Sequence, residues 1–197
     1  MDWPVEPGEF VVCDPKAHIA VVTLDDDISL PANLIALYGK SRTENLGVER
    51  VVVNTVSNQN IRALVICGKE ICGHNAGQAI LALWENGIDQ GKRIVGAEGA
   101  IPYIQNLPVE FIERFRLQVE LVDLIGVVDE LVIGDRIVEV SKKNLKAFEG
   151  DELDFEGHFI KAESALTDTL DLSGCEVSLS PEYDIKFNTI TGEVYVS

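Results

Sequence analysis

The order of apolar and polar positions along the chain predicts strands that alternate with helices. Continuous apolar runs at residues 17–23 and 62–67 are typical of buried strands. Residues 93–99 and 118–126 are predicted as two further strands. Such an alternation predicts an α/β domain with a Rossmann-like, mostly parallel sheet and helices on both of its faces.

In two segments early in the chain, the apolar residues have the spacing that is typical of a helix. Residues 32–38 form the first candidate. In residues 43–58, three consecutive valines would suit a strand, but Val48, Val52 and neighbouring apolar residues fall on one helical face. A helix is therefore predicted there, with Thr43 as its N-cap and Glu44 in its first turn.

Two more helices are predicted further along. One begins just after His74 and ends at Gly87, because a glycine just past the last turn commonly ends a helix. Pro108 opens the other, since proline suits the first turn. Residues 127–147 combine helical and strand-like pieces, and both interpretations stay open.

The pattern changes near Phe148, where polar and apolar residues begin to alternate between turn residues. This alternation predicts a short β-rich C-terminal tail, with a hairpin or turn at Thr191-Gly192. The predicted organisation is an α/β domain at residues 1–147 and a β-rich extension at residues 148–197.

Charge and cysteine content narrow the class of protein. Sixteen basic and 33 acidic residues give a formal net charge of −17, which disfavours nucleic acid and anionic membrane surfaces as partners. An acidic proteome in a salt-rich cytoplasm would explain the same excess. The chain has no long uncharged apolar stretch and no signal-peptide pattern at its start, and its four cysteines are scattered. We expect a cytoplasmic protein with reduced thiols and no membrane insertion by this chain.

The segment "GKEICGHNAGQAILAL", residues 68–83, places His74 between a predicted strand and a helix. Open α/β sheets bind their ligands in the loops that follow the carboxyl ends of their strands. The residues around His74 are small, which leaves room beside the imidazole for a large, flat ligand with a metal at its centre. A histidine that only caps the helix is the alternative.

Other chemistries fit this loop less well. Gly68 and Gly73 have the spacing of a phosphate-binding loop, but His74 and Asn75 stand where lysine and serine or threonine are needed. Cys72 and His74 are poorly spaced for a zinc site, and no second pair lies near them in the sequence. The corrinoid signature Asp-x-His-x-x-Gly is half matched, because Cys72 takes the place of the aspartate.

Long stretches of the chain resemble one family. They are "WPVEPGEF", "KSRTENLGVERVVVNTVSNQNIRALVICGKEICGHNAGQAILALWENGID" and "RIVGAEGAIPYIQNLPVEFIERFRLQVELVDLIG", and they span roughly residues 3 to 126. The chain resembles the corrinoid-carrying subunit of tetrahydromethanopterin S-methyltransferase, a membrane complex of methanogens.

The resemblance implies a cofactor and a reaction. The cofactor would be a cobamide, either cobalamin or 5-hydroxybenzimidazolylcobamide, whose cobalt His74 coordinates. It would carry a methyl group from methyl-tetrahydromethanopterin to coenzyme M, together with partner subunits of the methyltransferase. The implied corrinoid site comprises residues of three stretches: Thr43, Glu44, Asn45, Leu46, Gly47, Gly68, Glu70, Gly73, His74, Gly77, Gln78, Gly99, Ala100, Ile101, Pro102 and Tyr103.

The chain departs from the family pattern in two respects. Full-length members end in a membrane helix that we do not recognise here, so we expect either the cytoplasmic part of an anchored protein or a soluble relative. The aspartate two positions before His74 is missing, and Glu70 is the candidate to replace it. The alternative functions are cobamide storage or scavenging without methyl transfer, and a nucleotide-binding Rossmann-like enzyme.

Overall fold

A computed structural model describes residues 3–151 and 153–155, and in the C-terminal tail residues 176–180, 185–188 and 194–196. The chain divides into two compact units, residues 1–159 and 160–197. The domain boundary expected near Ala147 stays a prediction.

A five-stranded sheet forms the centre of the first unit. Its strands lie in the order β1-β3-β2-β4-β5, and all are parallel except β1, which runs antiparallel to β3. This arrangement confirms the mostly parallel sheet expected from the sequence. The strands are β1 (Phe10–Val12), β2 (Ile19–Val22), β3 (Leu37–Gly39), β4 (Ala63–Gly68) and β5 (Glu120–Ile125).

Helices cover both faces of this sheet. Ala20, Val22 and Leu64 pack on one face against three helices, and Ile19, Val21 and Val65 pack on the opposite face against a fourth. Successive strand residues point to opposite faces, so each strand contributes to both cores. The helices are α1 (Leu46–Val56), α2 (Ala76–Asn86) and α3 (Val109–Gln118) on the first face, and α4 (Glu130–Ser141) on the second.

The helix predicted at residues 32–38 is wrong. A 3-10 turn at Ala32–Leu34 leads instead into strand β3. The backbone of β3 pairs with β2 on one side and β1 on the other, and Ile35, Ala36 and Leu37 are all buried. A short apolar run suits either structure, and the pairing with two neighbouring strands decides in favour of the strand.

The strand predicted at residues 93–99 is also wrong. This segment makes only isolated bridges, between Ile88 and Ile94 and between Arg93 and Tyr103. The chain turns at Gly96, whose φ of +84° suits glycine, so the extended run is too short to join the sheet. The apolar signal comes from Ile94, which is completely buried beneath the loop.

The remaining helix predictions are confirmed in their essentials. Helix α2 ends at Asn86, and the Gly87 amide donates to the Leu83 carbonyl as a C-cap should. Pro108 immediately precedes α3. In the ambiguous region 127–147 the structure has α4, and the Asp129 side chain accepts hydrogen bonds from the Leu131 and Val132 backbone amides at the start of that helix.

The second unit contains a three-stranded antiparallel sheet of β6 (Glu176–Ser180), β7 (Ile185–Asn188) and β8 (Val194–Val196). These strands agree with the β-rich tail predicted from the sequence. The hairpin predicted at Thr191-Gly192 lies outside the described residues. In the part of the chain that the structure describes, no helix is both long and apolar enough to cross a membrane.

Candidate functional site

The candidate site lies at the edge of the sheet where the parallel strands end. Strands β3 and β4 lie on opposite sides of β2 in the sheet. After β2 the chain first adds β3 on one side of β2 and then crosses to add β4 on the other side. Such a reversal of strand order is where open α/β sheets place their ligands. Loops 40–45 and 69–75 follow β3 and β4 at this edge.

His74 is held in a tight turn before α2. Its backbone amide and that of Asn75 both donate to the Ile71 carbonyl, at 3.0 and 3.2 Å. Asn75 adopts a left-handed conformation, with φ of +49°, and the helix begins at the next residue. The turn leaves the His74 side chain 49% exposed.

A buried carboxylate contacts the His74 ring. Nδ1 of His74 lies 2.8 Å from Oε2 of Glu44, whose side chain is only 2% exposed. The second oxygen of Glu44 accepts a hydrogen bond from the Ile101 amide at 2.7 Å. Burial opposes ionisation of Glu44, but hydrogen bonds from the Ile101 and Glu44 backbone and from His74 outweigh it and hold the pKa of Glu44 below its ordinary value.

This contact determines which nitrogen of the neutral imidazole carries the proton. An ionised carboxylate can only accept, so Nδ1 carries the hydrogen and donates it to Glu44. Nε2 is then left with a free lone pair, and no hydrogen bond to it occurs among the described residues. Metal-binding histidines commonly have this arrangement, in which a carboxylate orients the ring through its other nitrogen.

Glu70, the candidate substitute for the missing aspartate, has a different role. Its carboxylate accepts hydrogen bonds from the backbone amides of Gly77 and Gln78, at 3.2 and 2.7 Å. These amides belong to the first turn of α2, where a negative charge is favourable. The structure therefore assigns the histidine partner to Glu44 and the helix cap to Glu70.

The segment of residues 96–103 packs against the His74 turn. The Ala100 amide donates to the Gly73 carbonyl at 3.2 Å, and the Gln78 side chain bonds the backbone of Gly96 and Glu98. A side chain at Gly99 would collide with the His74 carbonyl oxygen and lie 2.6 Å from Cγ of Glu44. Glycine is thus required at position 99 for the chain to pass this close to His74 and Glu44.

The first turn of α1 departs from the sequence prediction. The N-cap is Asn45, whose side chain accepts from the Leu46 amide, and Glu44 precedes the helix rather than lying in its first turn. Thr43, predicted as the cap, still contributes, because its hydroxyl accepts from the Gly47 amide at 2.9 Å.

Some of the implied site residues do not contact His74. Gly68 ends β4 against the Thr23 carbonyl, with φ of +88°. Pro102 is buried, and its carbonyl accepts from the Ile94 amide. The Tyr103 ring packs against the Arg93 guanidinium at 5.7 Å. These residues support the loops around the turn rather than the imidazole itself.

Exposed small or apolar residues lie near His74. Gly73 has no atom within 4 Å of the place where a Cβ would stand. Ala100 is exposed, and the Ile101 side chain is 59% exposed. These residues leave space beside the half-exposed His74 side chain.

Neither Cys67 nor Cys72 forms a metal site with His74 and other described residues. Cys67 is buried in the sheet, and burial raises the pKa of its thiol to about 12, while Cys72 is exposed. Among the described residues, no group of three histidine, cysteine or acidic side chains is arranged to hold a metal ion.

A second feature, which the sequence did not indicate, lies beside the Glu44 segment. A cavity of about 460 Å³ opens between α1 and strands β2 and β3. Thr43 and Gly47 belong to its wall, together with Ser41 and Arg50. Neither Ser41 nor Arg50 stands out in the sequence, because only the folded chain shows their missing hydrogen-bond partners.

Comparison with known proteins identifies the family. The sequence pattern of tetrahydromethanopterin S-methyltransferase, for the subunit designated A, matches residues 1–163. The chain belongs to this family. It is 45% identical over 184 residues to form 1 of this subunit from Methanobrevibacter ruminantium, a match that covers 86% of this chain and 75% of the relative.

Two further relatives come from other organisms. The chain is 48% identical over 151 residues to form 1 of the same tetrahydromethanopterin S-methyltransferase subunit from Methanothermobacter marburgensis, covering 75% of this chain and 63% of the relative. It is 54% identical over 125 residues to the subunit, also designated A, of a putative methyltransferase Mtx from Methanosarcina barkeri, covering 63% of this chain and 62% of the relative. The matches to these two relatives leave more than a third of each relative's length uncovered.

Proposed function

We propose that the chain is a cytoplasmic cobamide-binding protein that carries a methyl group in transfer from methyl-tetrahydromethanopterin to coenzyme M. One observation carries this proposal: the His74 side chain is 49% exposed with no hydrogen bond to Nε2 from the described residues, while Nδ1 is bonded to the buried Glu44. Family membership supports a role as a component of a methyltransferase with partner subunits.

The residues present fit a cobamide. A macrocycle with a metal at its centre needs a metal-binding side chain with space beside it for the ring. His74 would supply that side chain, and the open position at Gly73 and the exposed Ala100 and Ile101 lie near it. A small anion would instead need several converging donors.

A bound cobamide would supply a cobalt centre able to carry a methyl group. His74 would hold that cobalt through Nε2. Glu44 keeps the proton on Nδ1 and prevents the ring from rotating about its side-chain bonds, and the Ile101 amide fixes Glu44 in turn. The chain's contribution is thus to present a neutral imidazole in one tautomer and one orientation.

The direct test is the electron paramagnetic resonance spectrum of cobalt(II) cobamide bound to protein labelled with nitrogen-15 histidine. We expect hyperfine splitting from a histidine nitrogen that changes with the label and disappears in His74→Ala. His158→Ala is the matched histidine control and should leave the splitting unchanged. A hyperfine splitting that is the same with and without the nitrogen-15 label would show that His74 does not bind the cobalt.

Carriage of methyl groups is tested separately from binding. Protein loaded with cobamide should keep the visible bands of the corrinoid through gel filtration, and its absorbance should change on methylation by a methyl donor after reduction. Stable colour that does not respond to reductant and methyl donor would favour a storage protein. Complete loss of colour on the column would contradict cobamide binding.

A further inference from the structure

Helix α4 carries apolar residues on the side that faces away from the sheet. Ile133, Ile137 and Val140 are buried on the opposite side, where the helix packs against the sheet. At 100° per residue, Leu131 and Val138 lie on the outward side, and their side chains are 80% and 38% exposed. The helix is thus apolar where it meets the sheet and partly apolar where it does not.

The exposed apolar surface extends beyond these two residues. Val132 is 50% exposed, and Val128, which lies just before the helix, is 41% exposed. A single exposed apolar residue is common on a soluble protein and needs no explanation. Several such residues within about three turns of one helix are typical of a surface that another element covers.

Two unpaired opposite charges lie among these apolar residues. We call the line of residues on the outward side of α4 the outer ridge, and it consists of Leu131, Asp135, Val138 and Lys142. Their spacing of four, three and four residues aligns them along one side of a helix. Lys142 directly follows α4 and keeps helical backbone angles. Asp135 and Lys142 are exposed, and neither forms an ion pair with a described residue.

The order of the two charges makes the outer ridge complementary to itself. Asp135 and Lys142 are two helical turns apart, with Val138 between them. In an antiparallel pair of α4 helices with Val138 near the twofold axis, each Asp135 lies beside the Lys142 of the other copy. A parallel pair would bring like charges together, which is unfavourable. Charge complementarity therefore favours a second copy of the same helix, in the antiparallel direction.

We propose that the outer ridge of α4 binds a second copy of this chain, as an antiparallel helix pair related by a twofold axis. Val138 lies at the centre of the contact, Asp135 and Lys142 form two equivalent ion pairs across it, and Leu131 packs at each end. Both copies use the same surface, as in most symmetric dimers. This dimer does not depend on His74 or on the proposed function.

Gly134 leaves room for the second helix beside the outer ridge. No atom lies within 4 Å of the place where a Cβ would stand at this position. A glycine on the flank of a helix allows another helix to approach closely, because no side chain separates the two backbones. The open position at Gly134 therefore suits a helix pair.

The net charge of the chain opposes this association at low salt. Each copy carries a formal charge of −17, so two copies repel one another. Salt screens this long-range repulsion more than it weakens ion pairs that are in contact. The dimer should therefore form more readily at high than at low ionic strength.

Sedimentation velocity of the full chain tests the proposal over a range of protein concentrations. The buffer contains about 0.5 M potassium chloride, where the Debye length is about 4 Å. The variants are Asp135→Lys, Lys142→Asp and the double variant that carries both changes. Glu110→Lys is the matched control, because it makes the same charge reversal at an exposed position of α3, on the other face of the sheet. Circular dichroism checks that each variant is folded.

The average mass of the wild type should rise with concentration from that of a monomer towards that of a dimer. Each single reversal should weaken the dimer at least about tenfold, because it places like charges opposite one another. The two single variants change the net charge in opposite directions, so a change in overall repulsion cannot explain a loss in both. The double variant keeps the net charge and exchanges the two positions, and it should dimerise as the wild type does, as should Glu110→Lys.

Three results would overturn the proposal. The first is a wild type that stays monomeric up to about 1 mM, which would leave the outer ridge to a different occupant. The second is a pair of single variants that dimerise as well as the wild type. The third is a folded double variant that does not recover the dimer, because exchanged charges should restore the ion pairs.

Discussion

The carboxylate of Glu44 and the imidazole of His74 lie 30 residues apart in the sequence and 2.8 Å apart in space. One comes from the loop after β3 and the other from the loop after β4, and both meet at the carboxyl edge of the sheet. Glu44 also accepts from the Ile101 amide. A single buried carboxylate thereby joins three separate segments of the candidate site.

Replacing Glu44 by glutamine should weaken cobamide binding by about tenfold to a hundredfold, the usual effect of losing the partner of a metal-binding histidine. The His74 ring and the Ile101 amide bond different oxygens of Glu44, and glutamine keeps an acceptor at only one of these two positions. Titration with cobalamin measures the loss. Glu70→Gln is the matched control, since Glu70 caps α2 and does not contact His74; an equal loss in that variant would refute the pairing.

Gly99→Ala should reduce stability by about 1–3 kcal/mol, the usual range for overpacking. The added methyl group would collide with the His74 carbonyl oxygen and with the Glu44 side chain. Gly134→Ala in α4 is the control: no atom lies within 4 Å of its added carbon, and it should stabilise the protein by about 0.5–1 kcal/mol. Urea unfolding of both variants tests this contrast, and a neutral Gly99→Ala would contradict the close packing.

The contribution of Glu44 to stability should depend on pH in one direction. Its pKa in the folded protein is below the ordinary value of 4.5, so the stabilisation is fully present above that pH and is lost as the pH falls through the folded pKa. The difference in unfolding free energy between the wild type and Glu44→Gln should therefore shrink below about pH 4.5. A difference that grows in acid would mean that the Glu44 pKa is raised.

Ala100→Phe should weaken cobamide binding while the fold is retained. Ala100 is exposed beside the His74 turn, and its amide bonds Gly73, so a bulky ring there would cover the open surface. Ala32→Phe places the same ring at an exposed position on the 3-10 turn and is the control. Cobalamin titration and circular dichroism separate binding from folding, and unchanged affinity would remove this loop from the site.

The sequence predicts the His74 loop because the patterns that indicate it lie next to one another in one short segment. An apolar run, a turn with glycines and a helical pattern follow one another without interruption, and the structure has β4, the turn and α2 in that order. The pairing with Glu44 could not be predicted in the same way. It depends on β3, of which Leu37 and Tyr38 fall in the predicted helix, and on a strand order that places β3 and β4 on either side of β2.

The cavity was beyond prediction for a different reason. Arg50 lies among valines in α1, where a cation usually extends to solvent or to a carboxylate. Its lack of a partner among the described residues is a property of the folded surroundings, as is that of Ser41. Sequence patterns report which residues are buried, but they do not report which buried groups remain without hydrogen bonds.

The bond between Glu44 and Ile101 gives the loop at residues 99–103 an unusual amide. The Ile101 side chain is 59% exposed, yet its backbone N–H points at a buried, ionised carboxylate. Such an amide should exchange its hydrogen with deuterium oxide far more slowly than an exposed loop ordinarily allows. Its proton resonance should also lie well downfield, because charge-assisted hydrogen bonds are short and strong. Magnetic resonance of this one amide would then report the state of the histidine's partner without any probe attached to the protein.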